Sequence, residues 1–200
     1  MKELIKLSTI LALICCGAAL ALGSVHELTR EPIARQQRLK KQRAVATVLP
    51  GVKPGNGTEG AAVRLCEDES PGSCRDIFLL AAGQEIRGFA LEAVADGYSG
   101  PIDLMVGVMP DGTVSGVKVI SHAETPGLGA HIIETSFSAQ FSGIPADETT
   151  LALKKNGGVI DQVTGATISS EAVVRAVREQ VRFFSANRSR IIARFEARKQ

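Results

Sequence analysis

The residues best suited to chemistry lie at 161–169, which read Asp-Gln-Val-Thr-Gly-Ala-Thr-Ile-Ser. The β-branched pair Val159 and Ile160 precedes this stretch and an amphipathic pattern follows from Glu171, so the sequence predicts a strand-to-helix turn. Small residues leave the backbone of such a turn open, and the free N–H groups of a helix start attract anions, so the turn is suited to phosphate. The alternative interpretation is an ordinary Ser/Thr helix cap. The small and hydroxyl-bearing residues are Thr164, Gly165, Ala166, Thr167 and Ser169.

A second stretch, residues 121–129, is too rich in Gly and Pro for regular structure and predicts a shaped loop. Its glycines permit close approach of the backbone to a flat ligand, and its leucine offers an aliphatic face. Residues 97–102, which include Tyr98, form an earlier run with similar composition. The candidate binding residues of the loop are His122, Glu124, Thr125, Gly127, Leu128 and Gly129.

These stretches resemble the motifs of a known family. Asp161, two residues and then Thr-Gly-Ala-Thr resemble the Asp-x-x-(Ser/Thr)-Gly-Ala-Thr flavinylation motif of the FMN-binding domain family. Residues 97–102 and 121–129 resemble the paired signatures of the G subunits of Rnf electron-transport complexes. They are also similar to those of related C subunits of sodium-translocating NADH:quinone reductases. The three motifs cover residues 97–170 in the family's order.

The resemblance implies a covalent FMN cofactor, whose phosphate a flavin transferase joins to Thr167 as a phosphoester. Because Thr167 would fix the phosphate, the ring must lie a ribityl chain away, and the loop at 124–129 is predicted to form the opposite end of one flavin site. Glu124 and Thr125 can hydrogen-bond the ring edge or the ribityl chain, and the alternative for Glu124 is that it only fixes the loop. Asp161 is expected to serve transferase recognition or to organise the turn. His122 either transfers a proton to reduced flavin or fixes the loop.

An apolar segment near the N-terminus predicts a membrane anchor. Residues 7–25 carry no charge over 19 positions, enough to cross a hydrocarbon core of roughly 30 Å. The alternative is a cleaved signal peptide, since Ala19, Leu20 and Ala21 form a small-x-small pattern.

Charge and family resemblance disagree on the orientation of this anchor. Basic residues crowd into positions 30–43, and by the positive-inside rule they place the following domain in the cytoplasm. The family implies the opposite, a single-pass bacterial inner-membrane protein with a periplasmic C-terminal domain, and this is the prediction adopted. The basic segment suits anionic membrane lipid.

The sequence predicts three regions. They are an anchor at 1–25, a juxtamembrane helix and linker at 26–54, and an extracytoplasmic FMN-binding domain at 55–200. The juxtamembrane helix is predicted to start at Thr29 as a cap, with Pro32 in its first turn, and the Gly- and Pro-rich run that follows is predicted to be a flexible linker.

The remaining pattern predicts an α+β fold, with a single antiparallel sheet and flanking helices behind a transmembrane helix. The predicted strands are 77–80, 86–94, 102–109 and 114–121, and the predicted helices are 128–135, 137–141 and 172–194. Cys66 and Cys74 enclose a polar turn, which leaves a disulfide and two free thiols as alternatives.

Composition narrows the function. The chain has 44% hydrophobic residues, a net charge of +2, one Tyr and no Trp, so a flavin would rest on aliphatic and backbone groups. No nucleic-acid partner and no metal site are predicted.

Two hypotheses for the function remain. One is a G-type electron carrier that works with other subunits of an ion-translocating complex and is not catalytic alone. Its variant is a C-type carrier of the quinone reductases. The other is an anchored non-redox module that binds a phosphorylated ligand.

Overall fold

A computed structural model describes residues 2–49, 61–66, 74–82, 85–145 and 149–196. The chain divides into two compact units, Met1–Lys40 and Lys41–Gln200. The first unit is helical, and the second contains the sheet and the other helices.

The first helix, α1, spans Lys2–Val48 without interruption. From Ile5 onward it is long and apolar enough to cross a membrane, with an 18-residue window of mean hydropathy 2.2 that is not buried in the protein. A signal sequence near the N-terminus has the same properties. The predicted helix start at Thr29 is wrong, because Thr29 Oγ1 donates to the Val25 carbonyl oxygen at 2.8 Å, inside the helix. Pro32 removes a single backbone donor and the helix continues through it.

Within the described residues, five strands form one antiparallel sheet in which each strand pairs with the next along the chain. The four predicted strands are confirmed as the last four of the five. The additional first strand, with the sequence Ala-Ala-Val-Arg-Leu-Cys, is short and lacks a clear alternation of apolar and polar residues. The strands are β1 (Ala61–Cys66), β2 (Cys74–Ala82), β3 (Glu85–Asp96), β4 (Pro101–Val108) and β5 (Val114–His122).

The register of β1 and β2 places Cys66 opposite Cys74. Opposed residues in antiparallel strands have Cα atoms about 4.5 to 5.5 Å apart, which is compatible with a disulfide. The two side chains and the loop between them lie outside the described residues, so the disulfide stays a prediction.

Short helical segments follow the sheet. They comprise 3₁₀ turns at Gly129–Ile133, Ala139–Phe141 and Lys154–Asn156, together with helix α2 at Thr135–Ser138. Phe137 and Phe141 are buried, with ring centroids 5.4 Å apart in an edge-on contact. The two short helices predicted in this region are therefore confirmed, mostly as 3₁₀ turns.

One face of the sheet packs against the long helix α3, Thr167–Glu196. The rings of Phe89 and Phe184 lie 4.8 Å apart within this contact. The helix begins at Thr167, whereas the sequence predicted position 172, so the motif itself forms its first turn. The buried residues at this interface include Phe89, Leu91, Leu104, Val106, Val173, Val177 and Phe184.

The other face of the sheet is covered by the end of α1, which belongs to the same compact unit. Ala44, Val48 and Leu49 pack on a second apolar cluster that includes Met105. A side chain at Gly107 would overlap the Val48 carbonyl oxygen, to which Ser115 Oγ donates at 2.6 Å. The end of the predicted stalk helix is therefore part of the folded domain. The predicted boundary near residue 55 lies outside the described residues.

Candidate functional site

The turn predicted directly before the long helix is present at the start of α3. The amide of Ala166 donates to the Val163 carbonyl oxygen at 3.0 Å, and Gly165 between them has φ +77°. This is the arrangement of a type II turn, which favours glycine at its third position. Thr164 and Gly165 are exposed, Ala166 is buried, and Thr167 is half-buried at the start of α3. The 163–166 turn therefore presents a hydroxyl at the start of a helix.

Ser170 links this turn to the first turn of α3. Ser170 Oγ accepts a hydrogen bond from the Val163 amide at 3.0 Å and donates to the Ala166 carbonyl oxygen at 2.8 Å. These bonds fix the entry of the chain into α3. The first amides of the helix, at positions 167–169, have no acceptor within the helix and carry the positive end of its dipole.

The second predicted stretch forms another type II turn. The Thr125 carbonyl oxygen accepts hydrogen bonds from the amides of Leu128 and Ala130, each at 3.2 Å, and Gly127 has φ +77°. A side chain added at Gly127 would meet open space. Leu128 is 51% exposed. The 125–128 turn therefore offers an open backbone and an aliphatic side chain.

A buried carboxylate connects the three motifs. Glu124 is 5% exposed, and it accepts a hydrogen bond from Ser169 Oγ at 2.6 Å and another from the Ser99 amide at 3.1 Å. Gly97 and Gly129 contact this carboxylate so closely that a side chain at either position would overlap it. Glu124 was predicted either to hydrogen-bond the flavin or to fix the loop. In the structure its two oxygens bond protein groups, so its position is that of a support for the site.

The two ends of the predicted site therefore meet. Besides the bond from Ser169 to Glu124, the side chain of Leu128 lies 3.1 Å from the position that a Cβ would take at Gly165. Ser99 Oγ lies 3.2 Å from Thr125 Oγ1, which brings the third motif to the same place. Which atoms contact a flavin ring stays a prediction.

Tyr98 and His122 lie in the same motifs. Tyr98 is 71% exposed. His122 is half-buried, and its Nδ1 accepts a hydrogen bond from the Glu124 amide at 3.2 Å. This bond requires an unprotonated Nδ1, and it fixes the loop directly before Glu124. A role of His122 in proton transfer stays a prediction.

Asp161 is held by its backbone and paired through its side chain. The amide of Asp161 donates to Gln140 Oε1 at 2.7 Å, and Gln140 Nε2 donates to the Asp161 carbonyl oxygen at 3.3 Å. Its carboxylate lies 2.6 Å from Lys154 Nζ, while Lys155 pairs with Glu171 at 3.0 Å. Gln140 holds the start of the motif in place, and sequence reasoning gave no signal for it.

His131 is a further residue that sequence reasoning missed. Its Nδ1 lies 2.6 Å from Glu134 Oε1, and its Nε2 lies 3.2 Å from the Gly127 carbonyl oxygen. The hydrogen bond with Glu134, and then the charge of that carboxylate, raise the pKa of His131 above its ordinary value of 6.5. The same hydrogen bond lowers the pKa of Glu134 below 4.5. The only signal in the sequence for this pair was the spacing of three residues between His131 and Glu134.

The candidate site lies on an exposed surface, where Thr164, Gly165, Gly127 and Leu128 are all exposed. A cavity of about 340 Å³ lies elsewhere, between the Lys154–Asn156 turn and α3. Its lining includes Arg175 and Arg178 and none of the predicted flavin residues. The contacts between the three motifs, and not this cavity, join the predicted flavin residues.

Comparisons with known proteins agree with the motifs. The family model described as FMN-binding domain matches residues 97–182, and the model described as RnfG N-terminal region matches residues 1–48. A relative from Aliivibrio fischeri, named as the G subunit of the ion-translocating oxidoreductase complex, is 37% identical over 194 residues, covering 93% of this chain and 92% of the relative. A relative of the same name from Pseudomonas aeruginosa is 35% identical, covering 98% and 95%.

A solved structure is similar in fold. It is the C subunit of the Na⁺-translocating NADH-quinone reductase from Parabacteroides distasonis, with a TM-score of 0.56, 18% identity, and coverage of 76% of this chain and 94% of that one. The chain is thus a protein with an FMN-binding domain behind an apolar N-terminal helix. It belongs to the family of ion-translocating oxidoreductase complex G subunits, which confirms the predicted resemblance and the predicted α+β fold.

Proposed function

We propose that this chain is the FMN-carrying electron-transfer subunit of a membrane-bound ion-translocating oxidoreductase complex. The observation that carries the proposal is the bond between Ser169 and Glu124, at 2.6 Å, which joins the flavinylation motif to the loop that offers a surface for a ring. The G-subunit relatives at 35 to 37% identity favour this function over that of the C-type carrier, whose 18% identity supports the fold alone.

FMN is attached covalently to Thr167. The Thr167 oxygen attacks phosphorus of a flavin dinucleotide bound to a flavin transferase, the P–O bond to the second nucleotide breaks, and that nucleotide leaves as a monophosphate. The hydroxyl proton passes to solvent or to a base of the transferase. The half-buried position of Thr167 at the start of α3 supports this assignment, because the helix start favours the phosphate that remains.

The surrounding residues fit the rest of the cofactor. Leu128, Ile168 and Tyr98 are 51%, 55% and 71% exposed and would cover apolar parts of a flavin ring. The open backbone at Gly127 permits close approach, and the exposed Thr125 offers a hydroxyl to the polar edge. FMN supplies redox chemistry that the side chains lack, while the chain binds and orients it.

The anchor holds the domain on the periplasmic side of the inner membrane. The hydropathy of α1 supports a single membrane span, and the basic residues at 30–43 would contact anionic lipid headgroups. A covalent tether suits that compartment, because flavin lost there could not be recovered from the cytosol. The other subunits of the complex would supply and accept the electrons.

Attachment is tested on the full chain co-expressed with a flavin transferase. The protein should fluoresce on a denaturing gel and carry the mass of one FMN, because a phosphoester survives unfolding. Thr167→Ala should lose both signals, and Thr167→Ser should retain them. Thr164→Ala is the matched control, since it removes a neighbouring hydroxyl of the same turn. Fluorescence lost in Thr164→Ala and kept in Thr167→Ala would place the bond on the other threonine, and an unmodified wild-type chain would favour the non-redox module.

Orientation is tested by protease digestion of intact spheroplasts. The domain should be degraded from outside while a cytoplasmic marker protein survives. A domain that stays intact until the membrane is broken would refute the periplasmic assignment and favour the charge count.

A further inference from the structure

His131 contacts the loop that offers the ring surface. It lies in the Gly129–Ile133 turn directly after the 125–128 turn, and its Nε2 lies 3.2 Å from the carbonyl oxygen of Gly127 at the tip of that turn. On its other side, Nδ1 lies 2.6 Å from the Glu134 carboxylate, which Ser136 Oγ also contacts at 3.3 Å. The imidazole ring of His131 thus connects the 125–128 turn to the Glu134 carboxylate.

Both ring nitrogens of His131 face hydrogen-bond acceptors. A neutral imidazole has one N–H, so it can satisfy only one of the two oxygens and turns a lone pair toward the other. The imidazolium donates to both. The two contacts are therefore complete only in the protonated ring.

We propose that His131 is a positioning residue of the FMN site, whose imidazolium ties the Gly127 carbonyl to Glu134 and holds the 125–128 turn in place. This inference rests on the proposed function, since it assumes that the turn supports the flavin. Loss of the proton frees Gly127 and removes a positive charge from beside the site, so the environment of the flavin changes with pH.

The pH range follows from the two shifts. The pKa of His131 is raised above 6.5, so its stabilising contribution is complete below pH 6.5 and is lost as the pH rises through the folded-state pKa. The pKa of Glu134 is lowered below 4.5, so its contribution is complete above pH 4.5 and is lost as the pH falls through its folded-state pKa. The contact is therefore complete between pH 4.5 and 6.5.

Other charged groups lie on the elements that pack against this turn. They are Lys118 and His122 on β5 and, in the first turns of α3, Glu171 and Arg175, whereas α2 carries none. The shift of His131 arises from Glu134 and Gly127, opposed by burial, and from none of these. The response is thus specific to one carboxylate.

The first test needs no flavin. NMR titration of the histidine rings in the full chain in detergent should give His131 a midpoint above 6.5, and Glu134→Gln should lower it. Amide exchange at Leu128 and Ala130, corrected for intrinsic rates, should speed up about twofold to fivefold as His131 loses its proton, because both partners of this pair are exposed. His131→Gln, which keeps a neutral donor, should abolish this pH dependence, and His26→Gln should retain it. A midpoint at or below 6.5, or unchanged exchange, would overturn the proposal.

The second test uses the flavinylated chain. Flavin reduction takes up protons by itself, so the informative quantity is the difference in midpoint potential between wild type and His131→Gln. That difference should be present at about pH 5.5 and vanish at about pH 9. A flavinylated chain whose difference does not change with pH would refute the positioning role and leave the proposed function intact. A chain that never accepts flavin would refute the proposed function, and with it the role of His131.

Discussion

Replacing Glu124 by alanine tests whether one buried carboxylate holds the three motifs together. The variant loses the acceptor for Ser169 Oγ and for the Ser99 amide, which both face a group that is 5% exposed. A hydrogen bond to a charged group contributes about 1.5 to 3 kcal/mol, and water entering the space offsets part of the loss. The free energy of unfolding should therefore fall by about 3 to 5 kcal/mol.

Two further variants define the source of this loss. Glu124→Gln keeps the shape and one acceptor oxygen, and its amide can donate to Ser169 Oγ, so it should cost only about 1 to 2 kcal/mol. Ser169→Ala removes one of the two bonds, and a double-mutant cycle between Ser169 and Glu124 should show a coupling of about 1 kcal/mol or more. Glu179→Ala, an exposed glutamate on α3, is the control and should change stability by less than about 0.5 kcal/mol.

The assay is pulse proteolysis of the flavin-free full chain in detergent across a urea series. It reports the fraction unfolded without depending on tryptophan, of which the chain has none. A loss below about 1 kcal/mol in Glu124→Ala, or the absence of coupling with Ser169, would refute the reasoning. The Glu124 carboxylate would then not contribute to the stability of the loop.

Three other changes probe the turn before α3, the packing of the end of α1 and the backbone of Asp161. Gly165→Ala should destabilise the chain by about 1 to 2 kcal/mol and slow flavinylation, because alanine is strained at φ +77°; an unchanged rate would separate the turn from attachment. Gly107→Ala should lower the urea midpoint, because the new Cβ would displace the last turn of α1. Gly116→Ala should lower it less, since a Cβ there would lie 3.5 Å from its nearest neighbour, Val48 Cα, and equal effects would contradict this packing. Gln140→Ala should slow flavinylation by releasing the backbone of Asp161, and wild-type kinetics would exclude that role.

Local pattern was sufficient to predict most of the sheet and the positions of the turns. Alternating apolar residues and a Pro-Asp-Gly-Thr turn identify the β4–β5 hairpin, and Pro126-Gly127 and Thr164-Gly165 identify two turns that need a positive φ. β1 was missed because a strand of six residues carries little periodic signal. The continuity of α1 was missed because a Thr and a Pro are treated as a helix start when their neighbours in space are unknown.

Glu124 shows where local pattern stops being informative. Its position in a Gly- and Pro-rich loop left a ligand contact and a role in fixing the loop as alternatives. Its partners are Ser99 and Ser169, which lie 25 and 45 residues away along the chain. Burial of a carboxylate depends on donors brought to it by the fold, and no window of sequence contains them.

The amino-acid sequence by itself determined the family, the apolar helix, the alternation that makes the sheet and the glycine turn before α3. These properties depend on residue type and on spacing along the chain, which set backbone conformation and the face that is buried. The tertiary structure alone decided that Glu124 lies inside, that Gln140 holds Asp161, and that His131 reaches Gly127. Those contacts join separate turns, so they exist only once the packing of α3 on the sheet has brought the turns together.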